Sequence, residues 1–301
     1  MRLAVILLSL ICPLAPAVAQ QSTPASGLED PPWVRDVRDK KMVYAVPGMA
    51  DVQVRKDVVY KQVEGWELKA DIYLPSGLKK GEKRPVIIFI HGGYLPPNLL
   101  TPPKEWVEYR SFGRLAGTSG FVGVVFNHRF FRNFGGLPDS EADLADMISF
   151  VREHAEAFSA DKDRITLWAF SGGGYLFSRF LREPPAYIRA LVAYYAVLDF
   201  TPEERAAPER APADLVQKFS AVQALAGSGK QVPPILVARA GLDHPLRNAT
   251  IDHFIKVALE KNAAIQVVNH PSGHHGFDVE DDNDVTRKII QATLDFVRER
   301  N

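Results

Sequence analysis

Arg164 to Phe180 reads RITLWAFSGGGYLFSRF, and its three parts decide the fold. Ile165 to Phe170 is a short apolar run of β type. Ser171 and the glycines Gly172, Gly173 and Gly174 interrupt it, and Leu176, Phe177, Phe180 and Leu181 then recur at helical spacing. Strand, tight turn and helix in that order form the setting in which a serine hydroxyl projects from the carboxyl end of a strand. The glycines supply close approach and dihedrals that side chains resist, while the helix start turns backbone N–H groups toward an anion. The turn departs from G-x-S-x-G at its first position, where Ala169 stands. Alanine is the smallest residue with a Cβ, so a tight crossing is still expected. Taken alone, the same letters also describe a glycine-rich loop with an idle serine.

Outward from this stretch, strands alternate with helices. Val52 to Tyr60 and Glu67 to Leu74 show β-branched alternation and predict a hairpin at one edge of a sheet. Val86 to Ile90 is uninterrupted and β-branched, the mark of a strand covered on both faces. A helix is predicted over Glu105 to Leu115 and a strand over Phe121 to Phe126. The next helix is expected from Asp139 or Ser140, with Leu144, Met147, Ile148 and Val151 at i, i+3, i+4 and i+7. Strands at Leu191 to Val197, Ile235 to Ala240 and Ile265 to Val268 follow, with helices over Ile251 to Lys261 and around Val285 to Phe296. Such alternation implies βαβ units, hence an α/β domain over residues 51–301 with a mostly parallel eight-stranded sheet covered by helices on both faces. Residues 20–50 read as a loose lead-in. Residues 199–232 read as a small cap insertion with one short helix, which together with Tyr94 to Trp106 would roof the site.

With 46% hydrophobic and 24% charged residues, the chain can bury a full core. Its net charge is zero and its basic residues form no long run, which argues against nucleic acid and anionic membranes as partners. Arg2, the apolar run Leu3 to Leu14 and Ala17-Val18-Ala19 have the layout of a signal peptide, residues 1–19, cleaved after Ala19. The expected location is therefore secreted or periplasmic. The apolar run is too short for a membrane span, so none is expected after cleavage. Cys12, the only cysteine, lies in this segment, so disulfides, thiol catalysis and thiolate metal sites are not expected. Oligomeric state is not legible.

In a parallel sheet, ligands sit at the carboxyl ends of the strands. A serine hydroxyl needs a base to take its proton, and the base needs a third group to set its tautomer. His270-Pro271-Ser272-Gly273-His274-His275-Gly276-Phe277 follows the last strand and offers His274 or His275 as base. Asp243, three residues past the strand ending at Ala240, is the expected acid, with Asp199 as rival and Asp278 too close to the base in sequence. His91-Gly92-Gly93-Tyr94 follows the strand Val86 to Ile90. Amides of Gly92 or Gly93 and of Gly172 would meet a developing oxyanion, while His91 holds the loop. Phe130, Phe131 and Phe134 would line a pocket, pack in the core or anchor a loop. The acidic run Asp278 to Asp284 lacks the glycine and terminal glutamate of a calcium loop and is expected as a solvated helix start. Neither H-E-x-x-H, nor a phosphate-binding loop, nor a dinucleotide fingerprint occurs, so no metal and no cofactor is expected.

HGGY, AFSGGGY, GLDH and HHGF, in that order and each after a strand, resemble the α/β-hydrolase superfamily over residues 52–300. The nearest likeness is to small carboxylesterases of the hormone-sensitive-lipase and acetyl-esterase type. Asn127-His128-Arg129-Phe130 stands where those enzymes often carry a tyrosine-arginine pair. The resemblance implies an α/β-hydrolase fold with Ser171 as nucleophile, His275 as base, Asp243 as orienting acid, and Gly92, Gly93 and Gly172 at the oxyanion hole. It implies a small-molecule ester as substrate, cleaved through an acyl-enzyme. The short roof points to short acyl groups, those on exported carbohydrate among them. The same elbow also resembles prolyl-oligopeptidase-like peptidases, and a binding protein without catalysis on this fold is the third reading.

Overall fold

A computed structural model describes residues 30–63, 65–93, 95–96, 99–129, 136–208 and 211–301. The expected signal segment, Tyr94, Phe130, Phe131 and Phe134 lie outside the described residues. The eight strands are β1 (Gln53–Val63), β2 (Trp66–Leu74), β3 (Arg84–Ile90), β4 (Val122–Phe126), β5 (Ala160–Phe170), β6 (Ile188–Tyr194), β7 (Ile235–Ala240) and β8 (Ile265–His270). They form one sheet in the order β1-β2-β4-β3-β5-β6-β7-β8. The β1–β2 and β2–β4 pairings are antiparallel and the others parallel, so the hairpin does lie at one edge.

Both faces of the sheet are buried at its central strands, residue by residue. Val86, Ile88 and Ile90 of β3 enter one apolar layer, while Ile87 and Phe89 enter the other. In β5, Ile165, Leu167 and Ala169 take the first layer and Trp168 and Phe170 the second. Period-two alternation therefore separates two cores instead of core and solvent, which is why these strands read as unbroken apolar runs. Helix α3 (Leu137–Glu153) covers the first layer with Leu144, Met147, Ile148 and Val151. Helix α4 (Phe177–Arg182) adds Phe177, Phe180 and Leu181. The second layer is covered by α2 (Val107–Thr118), through Phe112 and Leu115, and by α10 (Asp284–Arg300), through Ile290 and Val297.

Several boundaries differ from the sequence reading. Helix α3 starts at Leu137 and α8 runs Pro245–Glu260, and in both a proline occupies the first turn. Proline lacks only an N–H that the first turn leaves unpaired anyway, so polar first turns precede the apolar periodicity. Strand β6 stops at Tyr194 because Tyr195 takes φ +36°. The lead-in is not loose where it is described. Residues Pro32–Arg38 form α1, and Val34, Met42 and Met49 are buried in the second layer. Among its described residues the insertion holds three helices, α5 (Pro202–Arg205), α6 (Ala213–Phe219) and α7 (Ala221–Gly227). Val216, Phe219, Val222 and Leu225 from α6 and α7 belong to the first core layer, so this part is wall more than roof.

Candidate active site

The Gly-rich turn closes β5 and starts a 3-10 segment, Ser171–Leu176, that leads into α4. Ser171 itself has φ +47°, a region side chains avoid and that persists only where surroundings hold it. Its carbonyl accepts the Val197 N–H at 2.8 Å, which ties the turn to the loop after β6. A Cβ on Gly173 would stand 2.7 Å from the Ile90 carbonyl oxygen, so only glycine lets the turn cross beside β3. Ala169 is fully buried and its Cβ is accommodated.

His275, on the loop after β8, places Nε2 2.9 Å from Ser171 Oγ, and its Nδ1 lies 2.6 Å from Asp243 Oδ2. A carboxylate can only accept, so Nδ1 carries the proton and Nε2 accepts from the serine hydroxyl. Burial raises the Asp243 carboxyl, but the His275 hydrogen bond, the His244 N–H and the Arg247 charge together hold it below the usual range. Arg247 Nη1 is 3.6 Å from Asp243 Oδ1. His274 points elsewhere, with Nδ1 2.8 Å from Asp281 Oδ1. Asp199, the rival acid, accepts from Ser220 Oγ at 2.7 Å, from Phe200 N–H and from Arg205, and so holds the insertion.

The loop after β3 presses directly on the elbow. A Cβ on Gly92 would lie 2.6 Å from Ser171 Cβ, 2.7 Å from the Phe170 carbonyl oxygen and 3.0 Å from the Gly172 nitrogen. Gly93 has φ +96°. His91 Nδ1–H donates to the Gly92 carbonyl at 3.0 Å. Carbonyl and N–H oppose each other across a trans peptide, so the Gly93 N–H is turned away from His91. The Gly92 backbone also hydrogen-bonds the Tyr109 hydroxyl. His91 stacks on His128 with centroids 3.7 Å apart and accepts the His128 N–H, while His128 Nε2 bonds the His91 carbonyl. Burial holds His91 well below the usual imidazole range and brings His128 down to about 3, so both stay neutral and act as struts.

Two cavities meet at Ser171. One of about 200 Å³ is walled by Trp33, Leu95, Trp106, Tyr109 and Phe170. The other, about 420 Å³, is lined by Tyr175, Thr201, Glu203, Glu204, His244 and Arg247. Among the described residues of the insertion, only the α5 end lines this second space. Among the described residues Asp57, Asp71 and Glu105 bring three carboxylates within 4.8 Å of one another, the spacing of a metal-ligand set. The Lys104 ammonium already fills that place, 2.8 Å from Asp57 and 3.1 Å from Asp71, with Glu105 bonded as well, and so pins this turn to the hairpin. The sequence reading missed Tyr195 and Asp278. Asp278 is not solvated but fully buried, and it accepts from the Tyr195 hydroxyl at 2.6 Å. A paired tyrosine at a strand end was the available signal.

A serine, a histidine and an aspartate lined up beside the carboxyl ends of a mostly parallel, helix-covered sheet define an α/β-hydrolase. Within that class the chain belongs to the dienelactone hydrolase family, whose profile matches residues 137–299. A second profile, BD-FAE, matches residues 70–180. The native thermophilic esterase of Thermogutta terrifontis shares the fold with a TM-score of 0.67 and 22% identity, over 84% of this chain and 94% of that one. The isoprenylcysteine alpha-carbonyl methylesterase of Arabidopsis thaliana is 32% identical over 131 residues, 41% of this chain and 26% of that protein. The phenmedipham hydrolase of Pseudarthrobacter oxydans is 32% identical over 111 residues, 35% of this chain and 22% of that protein. The chain spans about a quarter or less of the length of these curated relatives. Among the described residues no helix is long and apolar enough to cross a membrane.

Proposed function

We propose that the protein hydrolyses carboxylic esters of short acyl groups through an acyl-enzyme on Ser171. The observation that carries this is the unbroken line from Ser171 Oγ to His275 Nε2 and from His275 Nδ1 to Asp243. Ser171 Oγ attacks the ester carbonyl as Nε2 takes its proton. The carbonyl oxygen gains the charge and is met by the amides of Gly93 and Gly172, with Gly92 providing the close approach. Imidazolium, stabilised by Asp243, returns the proton to the departing alkoxide as the C–O bond breaks. Water then attacks the acyl-serine in the same manner, releasing the acid and restoring the hydroxyl.

The two cavities divide the substrate. The smaller, below the usual size of sites for drug-sized ligands, suits a short acyl chain against its aromatic walls. The larger, with hydroxyl, carboxylate, imidazole and guanidinium groups, suits a polar alcohol such as a sugar. The name of one curated relative, a methylesterase, supports ester substrates, and that of another, a phenmedipham hydrolase, supports hydrolysis. The signal-like segment at residues 1–19 supports export, and with it acyl groups on extracellular or periplasmic carbohydrate.

The test is a panel of p-nitrophenyl acetate, butyrate and octanoate, sugar acetates and an aminoacyl-proline anilide. Acetate and butyrate should exceed octanoate in kcat/KM by at least about tenfold, since extra methylenes have no room to bury. Anilide turnover above that of the esters would favour a peptidase, and a folded protein inert to a fluorophosphonate would favour a binding role. Gly92→Ala provides a sharper local test. Its Cβ would collide with two backbone atoms, so the loop must retreat from the elbow. The expected loss in kcat is about 10²–10³-fold, the size of a lost oxyanion donor. Near-parental kcat would place the oxyanion elsewhere.

A further inference from the structure

Behind His275 lies a buried group of three side chains that the proposed reaction does not use. Tyr195 leaves the end of β6 at φ +36° while its N–H is held by the Ala238 carbonyl at 2.8 Å. Its ring packs against the His275 ring, centroids 4.7 Å apart, and meets Phe277 edge-on at 5.4 Å. Its hydroxyl donates to Asp278 Oδ1 at 2.6 Å and lies 3.5 Å from Glu108 Oε1 on α2. Asp278 lies in the first turn of the short helix α9 (Phe277–Glu280), three residues beyond the histidine. Its carbonyl also accepts the Val43 N–H at 2.8 Å, and its Oδ2 has no partner among the described residues. The Tyr195–Asp278 bond therefore joins the strand end beside the elbow to the loop that carries the imidazole.

Two buried carboxyls with a phenol between them are costly to keep unless the arrangement serves a purpose. Burial pushes Asp278 up to about 6 and Glu108 well above the carboxylate range, the latter aided by the Asp278 charge, and Tyr195 is likewise raised by burial. Tyr109 from α2 and Glu280 and Asp281 from the histidine side add no positive charge to this neighbourhood. Burial thus disfavours charge on both carboxyls, and the phenol between them donates its hydrogen bond to Asp278.

We propose that Tyr195 is a positioning residue for His275: its ring backs the imidazole, and its hydroxyl, anchored on Asp278, clamps the histidine loop so that Nε2 stays within bonding distance of Ser171 Oγ. The kinetic consequence rests on the hydrolase reading, whereas the geometric one does not. Displacement of a catalytic group by about 1 Å can cost about 10²-fold. Tyr195→Phe keeps the ring and removes the clamp.

In Tyr195→Phe, kcat on p-nitrophenyl butyrate should fall about 10- to 100-fold with KM within about threefold and the protein still folded. The ring ¹⁵N resonances of His275 should shift or broaden. Asp278→Asn still accepts from the phenol and should retain about tenfold more kcat than Asp278→Leu, a rescue that a mere filling role would not give. Parental kcat and unchanged His275 resonances in Tyr195→Phe would overturn the proposal. So would losses that track only the unfolded fraction. A wild-type protein without ester turnover would defeat the hydrolase reading instead, and the resonances would still decide the role of Tyr195.

Discussion

Ser171→Ala should lower hydrolysis of p-nitrophenyl acetate and butyrate by about 10⁵–10⁶-fold, the loss seen when a triad nucleophile is deleted and only oxyanion donors and binding remain. The magnitude follows from what the hydroxyl does: without Oγ no acyl-enzyme forms, and His275 could act only through a water the site was not shaped to hold. Alanine keeps the β-carbon, so it bears the same strain at φ +47° that serine already bears. Among the described residues one hydrogen bond, from Oγ to Nε2 at 2.9 Å, is lost, worth about 1 kcal/mol. Folding should therefore survive, and the variant should lose labelling by a fluorophosphonate while its melting temperature moves little. A fall of less than about a hundredfold would mean that another group attacks the ester. Turnover per folded molecule is the quantity to measure.

Much of the fold was legible because the central strands are buried on both sides. Val86 to Ile90 and Ile165 to Phe170 had to read as unbroken apolar runs, since each alternate residue enters a core of its own. The amphipathic stripe of α3 was equally plain, with one face in the first layer and the other in water. Isolated anchors were not legible. Val34, Met42 and Met49 are single apolar residues in polar company, and nothing in their spacing says that they reach the second layer. The insertion misled for a related reason: its prolines and charges flank short helices in which Val216, Phe219, Val222 and Leu225 face inward. Tertiary burial of that kind leaves no periodic trace in a seven-residue helix.

Site residues were legible through topology more than through the motifs themselves. Each candidate stands just past a strand that ends at the same edge of the sheet, and the structure brings Ser171, His275 and Asp243 together there. Adjacent histidines could not be separated by spacing, because either imidazole sits one residue from the other. The bond from His274 to Asp281 and those from His275 to Asp243 and Ser171 hold the two rings apart. Asp278 was misjudged since an acidic run looks solvated, yet its first member is turned inward onto Tyr195. Gly92 shows a subtler limit. Its letter announces a need for space, but only the 2.6 Å clearance to Ser171 Cβ tells what the space is for.

Asp243→Asn should cut kcat by about 10⁴-fold with KM little changed, because an amide in place of the carboxylate imposes the wrong imidazole tautomer. An asparagine NH₂ facing Nδ1 would donate to it, leaving the proton on Nε2, where it would confront the serine hydroxyl instead of accepting from it. Asp243 is also the group whose ionisation the fold favours: its carboxyl is held low against the effect of burial by His275, the His244 N–H and Arg247. The sign of the linkage follows. A carboxyl with a depressed folded pKa contributes stability above its unfolded value, 3.8, and that contribution is lost as pH falls through the lower folded one. The wild type should therefore be more stable than Asp243→Asn at neutral pH, and the gap should close on acidification below about 3.8, as thermal unfolding across pH 2–7 would read. Activity gives the complementary test, since the variant's deficit at pH 7–8 should appear in kcat and in the rate of fluorophosphonate labelling by the same factor. If Asp243→Asn stays within tenfold of the parent, the imidazole is being oriented by something other than this carboxylate. Asp199 would be a poor substitute, for its Oδ1 is already engaged by Ser220, Phe200 and Arg205.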